Sequence, residues 1–453
     1  MRLPVFLASI LAPAVFVGQA SGQGTLTLEQ AVQAALARNS TIRAGRAGVS
    51  AATARTPQAK SAVLPRFEVT ESAEGGNQPV FVFGSLLAQR RFGPENFAVD
   101  QLNHPDPILH HRTLASVEQT IFDGNAGSTS VERAEQGTRV AEADLGIAER
   151  DITLATILAY TSVGRATADF EAAAVAVEAA VDDRRRAADR RDAGMATEAD
   201  VLAGDVQVAA MREREILARA ARQVAAAELN SLMGAPLDQN VEVVDILAPR
   251  PLPAAAGAAA QRETRALSDG LELRRAIAAE SAARLQSDVA KSALIPRVVA
   301  RGGYELAGPN LFDRVSSWQV GGYVRWNLSS NGAEGASRQE ALAMVERAGH
   351  ERQAVEQQLR LGVRRAAVGL ESAAAREEVG RASVAQASES QRIVRDRYEA
   401  GLATTTDLLR AAESVAEARA RHVAARFDVV VARAALERAS GGTPTAIVAA
   451  VMP

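Results

Sequence analysis

AGMATEADVL at positions 193–202 returns as AGLATTTDLL at positions 400–409. In both, a glycine (Gly194, Gly401) is followed at the third position by a threonine (Thr197, Thr404), and that threonine at the third position by an aspartate (Asp200, Asp407). Glycine ends a helix at low cost because it enters the left-handed region without a Cβ clash. A Thr-x-x-Asp step then supplies the next helix with an N-cap hydroxyl and an acid at N3. Each stretch therefore reads as the turn and cap of a helical hairpin, written twice.

The flanks fit long helices. No proline occurs from Ile108 to Ala235 or from Asn310 to Thr443, so nothing forces a break beyond the two glycine turns. Gly124 to Gly194 spans 70 residues and Gly332 to Gly401 spans 69. At 1.5 Å per residue each rod is roughly 100 Å long. Four shorter helices are expected over 27–57, 197–233, 267–293 and 404–440. Helices of this kind must bury a stripe against neighbours, which implies a bundle or coiled coil.

A second motif is also duplicated in the same order: KSAVLPR (60–66) and KSALIPR (291–297). Two structural repeats follow, 21–247 and 263–440, joined by a Pro/Ala-rich linker over 248–262 and followed by a tail over 441–453. Met1 to Ala20 has the charged start, short apolar core and small-residue exit of a secretory signal peptide.

Each repeat carries period-two segments between its short and long helices. Trp318, Val320, Val324, Trp326 and Leu328 alternate with Gln319, Tyr323 and Arg325; Val298 to Leu306 alternates less cleanly. Phe67–Glu71 and Val117–Phe122 are weaker versions. An apolar face of about ten residues with terminal aromatics suits a lipid-facing transmembrane strand, and a soluble hairpin with one wet face has the same pattern. Four strands cannot close a barrel, so spanning strands require several copies. Pro65 to Gly124 is 59 residues and Pro296 to Gly332 is 36. The difference, 59 − 36 = 23, falls in a Pro- and Phe-rich stretch over 75–111, expected to be a long external loop.

Composition excludes several classes. The absence of cysteine removes disulfides, thiolate metal sites and a Cys nucleophile. A net charge of −3 without a basic stripe argues against nucleic acid. Apolar residues make up 47% but aromatics only 4%, which favours closely packed helices over a bulky core. His104, Asp106, His110 and His111 lack a fixed ligand spacing and are expected to be polar loop residues, with no metal or cofactor. His350 and His422 are expected to be solvated or packed within helical runs, and Arg184 to Arg186 to form a solvated face, with an adaptor surface as the other reading. Neither a nucleophile elbow nor a metal signature is present, which argues against an exported hydrolase.

The mature chain resembles the TolC-type outer-membrane efflux proteins. The resemblance rests on LTLEQAV (26–32) with Asn39 beyond it, the two Leu/Ile-Pro strand entries, the Phe122-Asp123-Gly124 start of a long helix, and the Tyr398 to Leu409 hairpin. It implies a mainly α fold with a small β part: coiled-coil hairpins forming a periplasmic α-barrel, plus four strands per protomer in a homotrimeric, twelve-stranded barrel among outer-membrane lipid. It further implies a passive exit duct of a tripartite efflux pump or type I secretion system, working with a periplasmic adaptor and an inner-membrane pump of RND, ABC or MFS type. Asp200 and Tyr398 match a gate pair linking the two hairpins, and Asp407 matches an acid of the constriction. Ala403 and Arg410 stand where some members carry a gate arginine and a second acid. The other reading of both aspartates is capping alone, and the other reading of the chain is an exported coiled-coil protein with a soluble hairpin.

Overall fold

A computed structural model describes residues 25–244, 259–326 and 332–452. The signal-peptide stretch, linker residues 248–258 and Leu328 lie outside the described residues. The first repeat opens with α1 (Leu28–Arg38) and α2 (Ser40–Ser61), followed by β1 (Arg66–Gly76) and β2 (Ile108–Phe122). A hairpin of α5 (Ala126–Asp192) and α6 (Glu198–Met233) completes it. Between β1 and β2 lie α3 (Pro79–Ala88), a single 3-10 turn (Pro94–Phe97) and α4 (Val99–Asn103). The second repeat follows the same order with α7 (Ala259–Asp269), α8 (Leu271–Ser292), β3 (Arg297–Gly308), β4 (Val315–Arg325), α9 (Ala333–Glu399) and α10 (Thr405–Ala439). A short α11 (Pro444–Ala449) follows.

Both rods, α5 and α9, are 67 residues long, about 100 Å at helical rise. Their partners are 36 and 35 residues, and α2 and α8, 22 residues each, pack on the other ends of α5 and α9. A short helix thus lies beside each half of each rod.

Several expected boundaries need correction. The helix expected over 27–57 is two helices: Asn39 leaves helical geometry, its side chain accepts from the Thr41 N–H (2.9 Å), and its amide donates to the Leu232 carbonyl (3.0 Å). The second of these continues through Pro57 to Ser61. Gly270 divides the counterpart expected over 267–293. The linker yields to helix by Ala259. The expected loop over 75–111 is strand at both margins and largely helical between, because Pro79 and Pro94 supply fixed φ at the first helical positions. The tail forms α11, capped by Thr443, with Ile447 and Val448 buried.

The four strands form one antiparallel sheet in the order β1-β2-β3-β4. The two repeats are joined at its centre, where β2 pairs with β3 from His111↔Gly308 to Phe122↔Val298 with a register shift between Thr120 and Phe122. The pairings Phe67↔Val117, Val69↔Ala115, Tyr304↔Trp318, Gly302↔Val320 and Val298↔Val324 place these residues on one face. On it Phe67, Val69, Trp318, Val320 and Val324 are 65–79% exposed. Trp326 lies one residue past β4, its indole N–H donating to the Leu294 carbonyl (3.2 Å). The opposite face carries Arg301, Glu305, Gln319, Tyr323, Arg325 and Arg112, with Arg112 and Glu305 paired at 2.8 Å. The apolar face is not uniform: near its outer end Glu71 pairs with Arg314 at 3.0 Å and accepts from Thr113.

The main core lies midway along the rods. Leu28, Val32, Ile157, Tyr160, Val163, Leu229, Val430, Ile447 and Val451 form one buried cluster. The Tyr160 hydroxyl donates to the Leu26 carbonyl (2.7 Å) and accepts from the Val244 N–H (2.9 Å), where Leu26 and Val243 form a parallel bridge. Arg438 ties α10 to α5 and α8 through Asp151 and Glu272, at 2.7 and 2.8 Å.

Candidate functional site: the hairpin tips

Both tips are built by the same local chemistry. Gly194 (φ +73°) and Gly401 (φ +74°) adopt the left-handed conformation that a side chain would oppose. Around them Met195 N–H donates to Arg190 and Leu402 N–H to Arg397, at 2.8 and 2.7 Å, using carbonyls the ending helices leave free. Thr197 and Thr404 cap α6 and α10, accepting from the N–H groups of Asp200 (3.4 Å) and Asp407 (3.2 Å). Each aspartate returns the bond: Asp200 accepts from the Thr197 N–H at 2.9 Å and hydroxyl at 2.8 Å, and Asp407 from Thr404 at 3.0 and 2.7 Å.

These bonds hold both carboxyls below the usual aspartate range. For Asp200 the leading causes are the backbone and then the side chain of Thr197, supplemented by Thr405 and Arg190. For Asp407 they are the side chain and then the backbone of Thr404, with Arg410 and Arg397 contributing. Donors to the ionised form favour it, so each tip carries a fixed negative charge at neutral pH.

The two tips touch at two places. Thr405 Oγ1 donates to Asp200 Oδ1 (3.4 Å), and the Arg190 guanidinium lies 4.7 Å from the centre of the Tyr398 ring. Asp200 and Tyr398 thus each join one hairpin to the other within a protomer, but not through one another: the Tyr398 hydroxyl is not among the partners of Asp200. Thr405 and Arg190 were not singled out from sequence. Thr405 carried a faint signal, because it occupies the position at which the first tip has Glu198; Arg190 is one of many helical arginines.

Arg184 bonds Asp205 across the first hairpin (3.0 Å), while Arg185 and Arg186 pair within their own helix with Asp182 and Asp183. Elsewhere His110 is buried beside Gln89 and Phe81, His104 pairs with Asp100 at 3.4 Å, and His422 packs against Gly380. Among the described residues no helix is long and apolar enough to cross a membrane.

The profile of the outer membrane efflux protein family matches residues 31–235 and 264–442. The chain belongs to that family, whose members are channels of the outer membrane reaching into the periplasm rather than enzymes. No curated protein sequence matches it. Among solved structures it is similar to the CmeC outer membrane channel of Campylobacter jejuni, at 15% identity and a TM-score of 0.79, over 98% of this chain and 94% of that one. It is similar also to the outer membrane protein VceC of Vibrio cholerae, at 18% identity and a TM-score of 0.76, over 92% and 96%. A membrane protein from Pseudomonas aeruginosa aligns at 17% identity and a TM-score of 0.78, over 92% and 90%. At such identities the likeness concerns the fold.

Proposed function

We propose that three copies of this chain close a twelve-stranded barrel and a helical tunnel, forming the passive exit duct of a tripartite efflux pump or type I secretion system. The observation that carries this reading is the open sheet. Its outer strands β1 and β4 have no further partner among the described residues, and an unpaired edge in lipid costs several kcal/mol for each unsatisfied backbone group. Neighbouring copies satisfy both edges. The face bearing Trp318, Val320, Val324 and Trp326 then meets lipid, and the Arg112–Glu305 face lines the lumen.

The rods carry the duct roughly 100 Å into the periplasm, toward a periplasmic adaptor and an inner-membrane pump of RND, ABC or MFS type. At their far end Asp200, Tyr398 and Asp407 form the gate. Threefold symmetry turns each aspartate into a charged ring, and the Thr405–Asp200 and Arg190–Tyr398 contacts hold the two hairpins of each copy together. In planar bilayers the purified protein is expected to give channels, and Asp200→Ala with Tyr398→Ala is expected to raise single-channel conductance while the assembly stays intact. An assembled double variant conducting like the parent removes the gate; a folded protein that never conducts removes the duct.

A further inference from the structure

The connection between β1 and β2 does not reach away from the sheet. It folds back over the polar face. The side chain of His110 lies on that face, two residues from Arg112, and it is only 8% exposed because Phe81 meets its ring edge-on at 6.3 Å and Gln89 reaches its Nδ1 at 3.1 Å. Gln89 also donates to the Leu109 carbonyl (3.0 Å), and Arg90 reaches across to the Ser316 carbonyl of β4 (3.0 Å). The face of α3 turned to the sheet is Val82, Ser85, Leu86 and Gln89, all buried, and Ala307 beneath is 2% exposed. The opposite face of the helix presents Val80 and Leu87, 80% and 62% exposed. An apolar helix strapped over β2 and β3, with Arg90 just beyond it tied to β4, thus points bare aliphatic side chains away from the wall that holds it.

We infer that α3 is the wall of a second constriction, an apolar one at the outer mouth of the channel, built from Val80 and Leu87 of every copy. This rests on the barrel reading above. Twelve strands about 4.8 Å apart and tilted about 40° enclose a ring roughly 24 Å across. A helix with its side chains is about 10–12 Å thick. Three such helices on the inner wall therefore leave little open cross-section, and what remains is lined by aliphatic groups instead of the charges lower in the lumen. An apolar narrowing sheds water and obstructs ions while admitting apolar groups. Cargo with apolar surface is the class this mouth favours, and small hydrophilic solutes are the class it resists. The second repeat has no equivalent: β3 and β4 are joined through 309–314, where Asn310 accepts from the Phe312 and Asp313 N–H groups to make a tight turn.

The chain has no cysteine, so Val80→Cys gives each copy one thiol. A short bismaleimide applied to the assembled protein should couple chains through position 80, and should leave chains uncoupled when the thiol is instead introduced by Val69→Cys on the lipid face. In a background carrying Asp200→Ala and Tyr398→Ala, replacing residues 79–103 with a short Gly-Asn turn should raise single-channel current severalfold. Assembled particles whose thiols at position 80 react singly but never couple would overturn the inference, as would current unchanged by the shortened loop. In either case the duct itself would stand. Failure of every variant and the parent to assemble and conduct would instead remove the barrel reading, and this inference with it.

Discussion

The two hairpins are copies in geometry but unequal in packing. Rods of 67 residues end in the same glycine turn and the same Thr-Asp cap. Yet α5 buries thirteen residues, among them Ile157, Tyr160 and Val163, whereas α9 buries four: Ala341, Val363, Leu370 and Ala373. The first rod runs through the main core, with α1 and α11 on it. The second packs on α10 and α8 and leaves Leu361, Val368 and Val379 exposed, near half or more of each. Cap chemistry therefore sets the length and ends of a rod, while burial is distributed by where each rod falls in the assembly.

The largest expected effect lies in that imbalance. Leu229, fully buried in the main core, should cost about 2–5 kcal/mol on Leu229→Ala. Leu370→Ala, in the smaller cluster with Ala373, Val429 and Leu436, should fall at the low end of the same range. Thermal unfolding of the assembled protein in detergent compares them directly. Equal losses would mean that assembly buries the second rod as deeply as the first.

A smaller effect concerns pH. Both tip aspartates have depressed pKa values in the folded protein. The stability they contribute is therefore fully present above the ordinary aspartate range and is lost as pH falls through the lower folded values. Hydrogen-exchange protection at both tips, with the intrinsic pH dependence of amide exchange divided out, should fall on acidification below that range and change little between pH 6 and pH 8. Asp200→Asn should flatten the response at the first tip and leave the second tip unchanged. A second-tip response flattened by Asp200→Asn as far as the first would show instead that the Thr405–Asp200 bond couples the two ends.

What the sequence made legible follows from how local each cause is. The rods and tips depend on glycine conformation, capping and the absence of proline, all within a few residues, and Gly194, Thr197, Gly401 and Thr404 could be read directly. The repeats were visible as repeated words. Less legible was anything set by distant partners. The Asn39 break depends on the Leu232 carbonyl, and α11 gains its place from the main core rather than from its own six residues. The loop helix α3 is nearly all apolar, so it has no period to read, and only its seat on the polar sheet face gives it two sides. At the tips, sequence named Asp200 and Tyr398 but not their partners Thr405 and Arg190, because a contact between residues 205 or more apart leaves no spacing signature.

The central claim is that this sheet is a third of a barrel. Light scattering of the purified protein in mild detergent, with protein and detergent mass separated by refractive index and absorbance, counts the chains per particle. Three is the expected number, unchanged on dilution, because both sheet edges must be paired for the strands to remain in an apolar phase. A single monodisperse species of one chain, folded and stable, would contradict it.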